Sequence, residues 1–268
     1  MLAIFKKELR SYFISAIGYV YTAIFLALSA LLCCYTTLQA NTYSTTNYFN
    51  MMIFVLAVLL PLLTMRLFAE ERKMRTEQLL LTSPVSLTGM VLGKYFAAFT
   101  LFLGTVLFSC INFFPLYEIG RREMNSAYNL DQINDVKTYL SKVPHIGPVS
   151  GQIVGSIIGV ILIGAAFIAI GLFISALTEN QLSAAVVTIA VVLSTIALGL
   201  LVQITDADGK YIIANYGVRY VLGWFSVLSR FSAFGYGYFD YAALIYYISI
   251  TGVFLFLTVR VYDSRRWA

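Results

Sequence analysis

Long apolar stretches alternate with polar segments along the whole chain. Because about 20 consecutive apolar residues cross a bilayer as a helix, each long stretch predicts one membrane span. The predicted fold class is therefore an all-α integral membrane protein. The spans leave no room for a soluble catalytic domain, so residues 1–268 are interpreted as a single transmembrane domain. The six predicted spans lie at about 14–38, 50–68, 88–114, 149–176, 181–203 and 241–262.

The segment before the first span has apolar side chains at helical spacing and basic side chains on the opposite face. This pattern predicts an N-terminal interfacial helix, although a frayed, charged end of the first span would have the same composition. The apolar run continues to about Leu38 without a small-residue cleavage pattern. We therefore interpret it as a retained span and not as a cleaved signal peptide.

Lysine and arginine are distributed unevenly between the two sides of the membrane. An even number of spans places both termini on one side, and most of the basic residues then lie on that side. The positive-inside rule predicts a multi-pass protein of the cell inner (cytoplasmic) membrane with both termini in the cytoplasm. The net charge of +5 is explained by this topology and by contact with anionic membrane lipids. It gives no reason to expect a nucleic acid partner.

Composition excludes a soluble globular protein and gives no sign of catalysis. Hydrophobic residues make up 60% of the chain and charged residues 12%, and the mean hydropathy is +0.82. Cys33, Cys34 and Cys110 all fall in predicted spans, so neither disulfides nor a thiol metal site are expected. His145 is the one histidine of the chain, and no nucleophile and base pair is evident. We expect no metal site, no catalytic residue and no enzymatic activity.

A charged segment interrupts the apolar pattern between the second and third spans, with the sequence RLFAEERKMRTEQLLLTSPVS over residues 66–86. Such a run cannot lie in hydrocarbon, so it is predicted beside the membrane, where another protein can bind it. Its three leucines among charged residues predict an apolar contact with a charged rim. A solvated loop without a partner is the alternative interpretation.

Two motif matches in this part of the chain do not predict chemistry. Residues 70–75 match the EExxxR signature of glutamate-dependent intramembrane proteases, but those enzymes also need histidines within the membrane. Residues 89–94 have the outline of a phosphate loop, but Tyr95 stands where Ser or Thr would hold magnesium. No cofactor is therefore expected in this chain, and nucleotide energy would have to be supplied by another polypeptide.

Glycine recurs every fourth residue at Gly151, Gly155 and Gly159, which allows a neighbouring helix to approach closely. We expect packing within the bundle, and a dimer seam or a substrate path is the alternative.

On the side opposite the termini, residues 129–132 form a capping box that predicts a short helix. Residues 212–228 could form a re-entrant hairpin before the last span, although aromatic anchoring at the headgroups gives the same composition.

Four stretches of the chain carry a family resemblance. They are KKELRSYFISAIGYVYTAIFL, LPLLTMRLFAEERKMRTEQLLLTSPVSLTGMVLGKYF, LIGAAFIAIGLFISALTENQ and YYISITGVFLFLTVRVYDSRRW. In this order they resemble the ABC-2 type transporter permease subunits, and within them the gliding-associated permease-like branch. The resemblance covers the chain except for the loops on the side opposite the termini.

This resemblance implies a transporter with two permeases, identical or homologous, and two ATP-binding cassette ATPase subunits that hold ATP and Mg. It also implies a cytoplasmic coupling helix within residues 70–84 and a second contact in the turn before the fifth span. Where many members carry Gly, an apolar residue and Glu, this chain has Arg75, Glu77 and Gln78, which leaves the anchoring carboxylate open. The candidate coupling residues are Glu70, Glu71, Arg72, Thr76, Glu77, Leu79, Leu80, Leu81, Pro84, Glu179 and Asn180.

The function implied by the resemblance is that of a permease subunit of an ATP-driven exporter, which passes ATPase motion through the coupling helix to the spans. The spans have few charged residues, so an amphipathic, lipid-linked or peptide substrate is expected. The alternative is a membrane anchor of an ATP-driven machine that acts on an envelope protein without transport. The long regions 115–148 and 204–240 leave room for such an external partner protein.

Overall fold

The apolar stretches are helical in the computed structural model. The structure describes residues 1–39, 43–76, 86–128, 147–204, 211, 213 and 215–267. Among them, six helical stretches are long and apolar enough to cross a membrane, which confirms the predicted fold class and number of spans. These stretches are Ala16–Leu38, Thr46–Lys73, Leu87–Ala127, Ser150–Leu177, Gln181–Val202 and Tyr241–Arg266.

Several spans are accompanied by shorter helices. The helices are α1 (Leu2–Ile14), α2 (Ala16–Cys33), α3 (Thr46–Thr64), α4 (Arg66–Lys73), α5 (Leu87–Ser109), α6 (Phe113–Tyr128), α7 (Ser150–Leu177), α8 (Gln181–Gln203), α9 (Tyr216–Phe225), α10 (Val227–Gly235) and α11 (Tyr241–Trp267). A π-helical turn extends α2 over Cys34–Leu38, and a 3-10 turn at Cys110–Asn112 connects α5 to α6.

Helix α7 occupies the centre of the bundle. It packs against α3, α5, α8, α10 and α11, and 67% of its most apolar segment is buried, against 17% for α11. Ile163, Phe167 and Leu172 are among its fully buried side chains. Helices α2, α8 and α11 expose most of their apolar surface, so they form the periphery that faces lipid or another membrane subunit. Any movement applied to α7 therefore reaches most of the bundle.

The N-terminal segment is a helix of its own, since Ser15 adopts an extended conformation with ψ 150° between α1 and α2. Helix α1 packs along the start of α5, where Gly93 has no side chain to hold it away. Its inner face buries Glu8 and Tyr12. We call the end of the bundle that carries α1, α4 and the turn Thr178–Asn180 the proximal end, and the other the distal end.

The third helical stretch is longer than predicted, because α6 continues to Tyr128 in a region predicted to begin a loop at residue 115. Its polar composition ended the hydropathy signal, but local pairs support the helix. Glu118 lies 3.1 Å from Arg121 and 3.0 Å from Arg122, one turn further on. Pro115 is compatible because it stands in the first turn, where no helical hydrogen bond is lost. The helix predicted from the capping box at residues 129–132 lies outside the described residues.

The hairpin predicted before the last span consists of α9 and α10, which meet at Ser226. Its second helix reaches Gly235 and so extends beyond the predicted 212–228 segment. The side chain of Ser226 caps α10 by accepting a hydrogen bond from the Ser229 backbone N–H at 3.1 Å. Phe231 and Phe234 of α10 are fully buried, whereas Tyr216, Tyr220 and Trp224 of α9 are exposed. Burial of these two rings against the bundle fixes the position of α10.

Two of the three spaced glycines lie where α10 crosses α7. A Cβ atom at Gly155 would come 2.9 Å from the Phe234 carbonyl oxygen, and one at Gly159 would come 2.8 Å from the Phe231 ring. A Cβ atom at Gly151 would meet nothing within 4 Å. The structure thus places these glycines at a contact within the same chain.

We expect Gly155→Ala to destabilise the protein by about 1–3 kcal/mol, because the new methyl group meets a backbone oxygen that cannot rotate away. Gly151→Ala is the matched control and should be neutral or slightly stabilising, since alanine favours the helix by up to ~1 kcal/mol. The thermal unfolding midpoints of the two variants in detergent measure the difference. Equal midpoints would contradict the close approach of α10.

Candidate coupling site

Six of the eleven predicted coupling residues belong to the described part of the chain, and they lie at the proximal end, on or just after α4 and in the turn that connects α7 to α8. Glu70, Glu71 and Arg72 belong to α4, and Thr76 follows its C-terminal end. The turn contains Thr178, Glu179 and Asn180. We call α4 with this turn the coupling surface. The remaining candidates, Glu77, Leu79, Leu80, Leu81 and Pro84, lie outside the described residues.

Helix α4 begins at a break in the second span at Met65, and a serine of α7 stabilises this break. The Ser175 hydroxyl donates to the Met65 carbonyl oxygen at 3.0 Å. It accepts hydrogen bonds from the backbone N–H groups of Phe68 and Ala69, at 3.2 and 3.1 Å. Ser175 is fully buried, and its bonds to Phe68 and Ala69 form away from water. One α7 side chain therefore holds the first turn of α4 in place.

Arg72 joins the two predicted contact regions. Its guanidinium donates to the Leu177 carbonyl oxygen at 3.2 Å and lies 3.8 Å from the Glu179 carboxylate. Arg265 of α11 donates to the neighbouring Ala176 carbonyl at 2.7 Å. The C-terminal carbonyls of a helix carry partial negative charge and lack helical partners, so both arginines are favourably placed. The coupling surface is thereby attached to the end of the central helix.

Among the described residues, Lys94 of α5 is the most deeply buried charged side chain at the proximal end, with 1% of its side-chain surface exposed. Its Nζ lies 2.8 Å from the Glu71 carboxylate and 3.2 Å from the Glu8 carboxylate. It also donates to the Leu67 carbonyl oxygen at 2.6 Å and lies 5.0 Å from the centre of the Phe68 ring. A buried ammonium group needs such partners. This lysine connects α1, α4 and α5, and we call Glu8, Glu71 and Lys94 the lysine cluster.

A second cation, Arg66, fixes the junction of α1 and α2. Its guanidinium donates to the hydroxyls of Ser11 and Ser15, at 2.6 and 2.9 Å. The same group lies 5.0 Å from the centre of the Tyr12 ring, and Tyr12 donates its own hydroxyl to the Leu63 carbonyl oxygen at 3.0 Å. Two charged groups on separate elements thus hold α1 against the coupling surface.

The carboxylates of α4 point in different directions. Glu71 has 15% of its side-chain surface exposed and faces Lys94, with Lys7 at 3.4 Å. Glu70 is 47% exposed, and Glu179 in the turn is 82% exposed. Although partial burial lowers the pKa of Lys7, the Glu8 and Glu71 carboxylates raise it above its ordinary value overall. Lys7 therefore stays protonated at neutral pH.

The two smaller candidates serve local structure. Asn180 caps α8, since its side-chain oxygen accepts a hydrogen bond from the Leu182 backbone N–H at 3.2 Å. The Thr76 hydroxyl donates to the Glu71 carbonyl oxygen at 3.2 Å just after α4 ends. Arg75, which directly precedes Thr76, adopts a positive φ of 56° that ends the helix and redirects the chain. Each contact shapes the coupling surface and leaves neighbouring groups exposed.

Sequence reasoning did not identify Glu8, Lys94 or Ser175 as parts of this site. Glu8 carried a usable signal, because it lies three residues from Phe5 and four from Tyr12 and so on the apolar face of α1. Lys94 carried another, because a lysine inside an apolar span needs an acidic partner. The pairing itself spans 86 positions and could not be read from local spacing. Ser175 has no signal in a span where serines are common.

Comparison with known families gives a match over nearly the whole bundle. The model of the ABC-2 family transporter protein matches residues 24–261, which includes α4 and the turn Thr178–Asn180. Helix α1 lies before the matched range. The match does not distinguish a gliding-associated branch, so that assignment stays a prediction. A comparison with curated proteins finds no match.

Proposed function

The chain belongs to the ABC-2 family of transporter proteins, and on that premise we propose that its coupling surface receives the movement of an ATP-binding cassette subunit. Members of this family are membrane permeases that associate with such subunits. In this proposal the chain is the permease half of an ATP-driven exporter, and the cassette subunit holds ATP and magnesium. Two cassette subunits and a second permease complete the proposed assembly.

The bond network around Arg72 carries this proposal. Arg72 contacts both Leu177 and Glu179, so a force on α4 or on the turn acts on the same end of α7. Ser175 of α7 adds a second attachment, which reaches α4 one helical turn before Arg72. Because α7 also packs against α3, α5, α8, α10 and α11, displacement of its end propagates through the bundle by rigid packing.

The directions of the carboxylates support a division of roles. Glu70 and Glu179 each lie near one arginine of the chain, Arg66 at 3.5 Å and Arg72 at 3.8 Å, but they stay exposed enough to meet a basic surface of the cassette subunit. Glu71 is engaged by Lys94 and Lys7, so its proposed role is to position α4. The basic residues concentrated at the proximal end support a cytoplasmic location for it, where the ATPase would reach it.

An amphipathic, lipid-linked or peptide cargo is the proposed substrate class. The buried cations of the described spans, Arg66 and Lys94, both lie at the proximal end and bind groups of the same chain. Neither is therefore presented to a cargo in the middle of the membrane. A cargo with a large apolar part matches the apolar walls of the remaining spans.

Co-expression with the cognate cassette ATPase tests the coupling proposal. We expect the combined variant Glu70→Arg and Glu179→Arg to lower permease-dependent ATPase activity at least about tenfold, because each reversal opposes a basic partner surface. Glu123→Arg on α6 is the matched control, since it reverses an exposed carboxylate at the distal end. The measurements are co-purification of the two subunits and ATP hydrolysis by the purified complex.

Arg72→Met separates binding from transmission. The exposed carboxylates remain in this variant, so the complex should still assemble, while ATPase stimulation by the permease falls because the link to α7 is lost. Unchanged assembly and hydrolysis in both the double charge reversal and Arg72→Met would refute the coupling surface.

The exposed, charged helix α6 favours a second candidate function, in which the same assembly pulls on an external protein without transport. Arg121 and Arg122 on this helix are largely exposed and offer a polar surface beyond the third span. Both functions require the coupling surface. Cargo uptake into reconstituted inverted vesicles distinguishes them, since only the exporter gives ATP-dependent accumulation.

A further inference from the structure

The outward face of α1 carries two basic side chains that have no acidic partner in the part of the chain that the structure describes. Among the described residues, Lys7, Arg66 and Lys94 each have a carboxylate within ion-pair distance, whereas Lys6 and Arg10 have none. Lys6 and Arg10 are exposed and one helical turn apart. Together with Ser11 and Ser15 they line a shallow depression along α1. This depression offers two positive charges and two hydroxyl groups to an anion.

An apolar groove begins where this depression ends. It runs between α2 and α3, has a volume of about 240 Å³, and is lined almost entirely by hydrophobic side chains. On the α2 side the wall extends from Ala16 to Ile24, which corresponds to about 12 Å of helix. That length is most of the roughly 15 Å hydrocarbon depth of one leaflet. The exposed walls include Ile17, Val20, Ile24 and Leu62.

The depression on α1 and the groove between α2 and α3 are adjacent along the chain. The extended backbone at Ser15 separates α1 from α2, so the depression stops at Ser15 and the groove starts at Ala16. The Arg66 guanidinium donates hydrogen bonds to the hydroxyls of Ser11 and Ser15, and the adjacent Met65 lines the groove. The positively charged depression and the apolar groove therefore meet at the boundary between Ser15 and Ala16.

We propose that this composite site binds one anionic phospholipid of the proximal leaflet, with its phosphate on Lys6 and Arg10 and one acyl chain in the α2–α3 groove. The uncompensated charges select an anionic headgroup over a zwitterionic one. The groove supplies the affinity of an acyl chain, since each buried methylene contributes to binding. The site is separate from the coupling surface and does not depend on the cargo or on transport.

Native mass spectrometry of the purified full chain tests the proposal, with dioleoyl phosphatidylglycerol and dioleoyl phosphatidylcholine added separately as probes. We expect one phosphatidylglycerol to stay bound under conditions that remove phosphatidylcholine. Removal of both cations in Lys6→Gln with Arg10→Gln should weaken that binding roughly thirtyfold. Val20→Trp fills the groove and should weaken binding of the same lipid without removing a charge.

Matched controls make the result specific. Arg121→Gln with Arg122→Gln removes the same charge at the distal end, and Val186→Trp makes the same replacement at an exposed position of α8. Both should retain the bound lipid. Equal retention of the two lipids, or equal loss in test and control variants, would overturn the site. Loss of a dimer in Val20→Trp with lipid binding unchanged would show that a second copy covers the groove, and would also overturn it.

Discussion

Lys94→Met is expected to destabilise the protein by about 3 kcal/mol, because it removes the cation from a buried ion cluster and leaves the anions in place. Lys94 has carboxylates at 2.8 and 3.2 Å and is almost fully buried. After the substitution, Glu8 and Glu71 share only Lys7 within the described part of the chain, and this lysine lies 3.6 and 3.4 Å away and is largely exposed. The thermal unfolding midpoint in detergent should fall clearly below that of the unmodified chain.

Neutralising the anions should recover most of this loss. In the triple variant Lys94→Met, Glu8→Gln and Glu71→Gln no unpaired charge remains buried, and uncharged replacements of an ion cluster are often as stable as the original. Lys73→Met changes an exposed lysine of the same region and should have little effect. A triple variant no more stable than Lys94→Met would show that the lysine acts through packing alone.

The triple variant also tests whether the lysine cluster does more than stabilise the fold. It is expected to assemble with the cassette subunit, since Glu70 and Glu179 are unchanged. Its permease-dependent ATP hydrolysis should nevertheless fall, because α1 and α5 are no longer joined to α4 by charge. Normal hydrolysis in a stable triple variant would confine the cluster to a structural role.

Ser175→Ala is expected to cost about 3 kcal/mol, since one hydroxyl serves the Met65 carbonyl and the N–H groups of Phe68 and Ala69. Each buried polar group left without a partner costs about 1–3 kcal/mol, and relaxation of the break recovers part of that. Ser156→Ala is the matched control on the same helix. Ser156 is equally buried but makes a single hydrogen bond of 3.5 Å to the Phe234 carbonyl oxygen.

The comparison of the two serine variants is made on thermal unfolding midpoints in detergent. Ser156→Ala should lie close to the unmodified chain, and Ser175→Ala well below it. Similar midpoints for both variants would mean that α4 keeps its position without the bonds to α7. Permease-dependent ATP hydrolysis by a complex that contains folded Ser175→Ala protein should also decrease, because one of the two attachments of α4 to α7 is lost.

Hydropathy predicted the spans well because the apolar length needed to cross a bilayer leaves a strong signal in any sequence. It missed the later part of α6, where mostly exposed residues continue the helix and pairs such as Glu118 with Arg122 support it. The proximal location of the candidate residues followed from the resemblance and the order of spans. The inward direction of Glu71 did not, because its partner Lys94 comes from another span. Side-chain pairing across distant elements requires the fold.

The distance along the chain between Glu8 and Lys94 has a consequence for biosynthesis. Glu8 emerges from the ribosome 86 residues before the lysine it binds, so α1 cannot complete its docking until the third span has been made. A lysine within an inserting span opposes insertion by about 2.5–3.5 kcal/mol when it has no partner near the membrane centre, and by less toward the interface. The Glu8 carboxylate, already present at the membrane surface when this span is made, lowers the barrier to its insertion. Helix α1 would therefore assist the insertion of a span that is synthesised long after it.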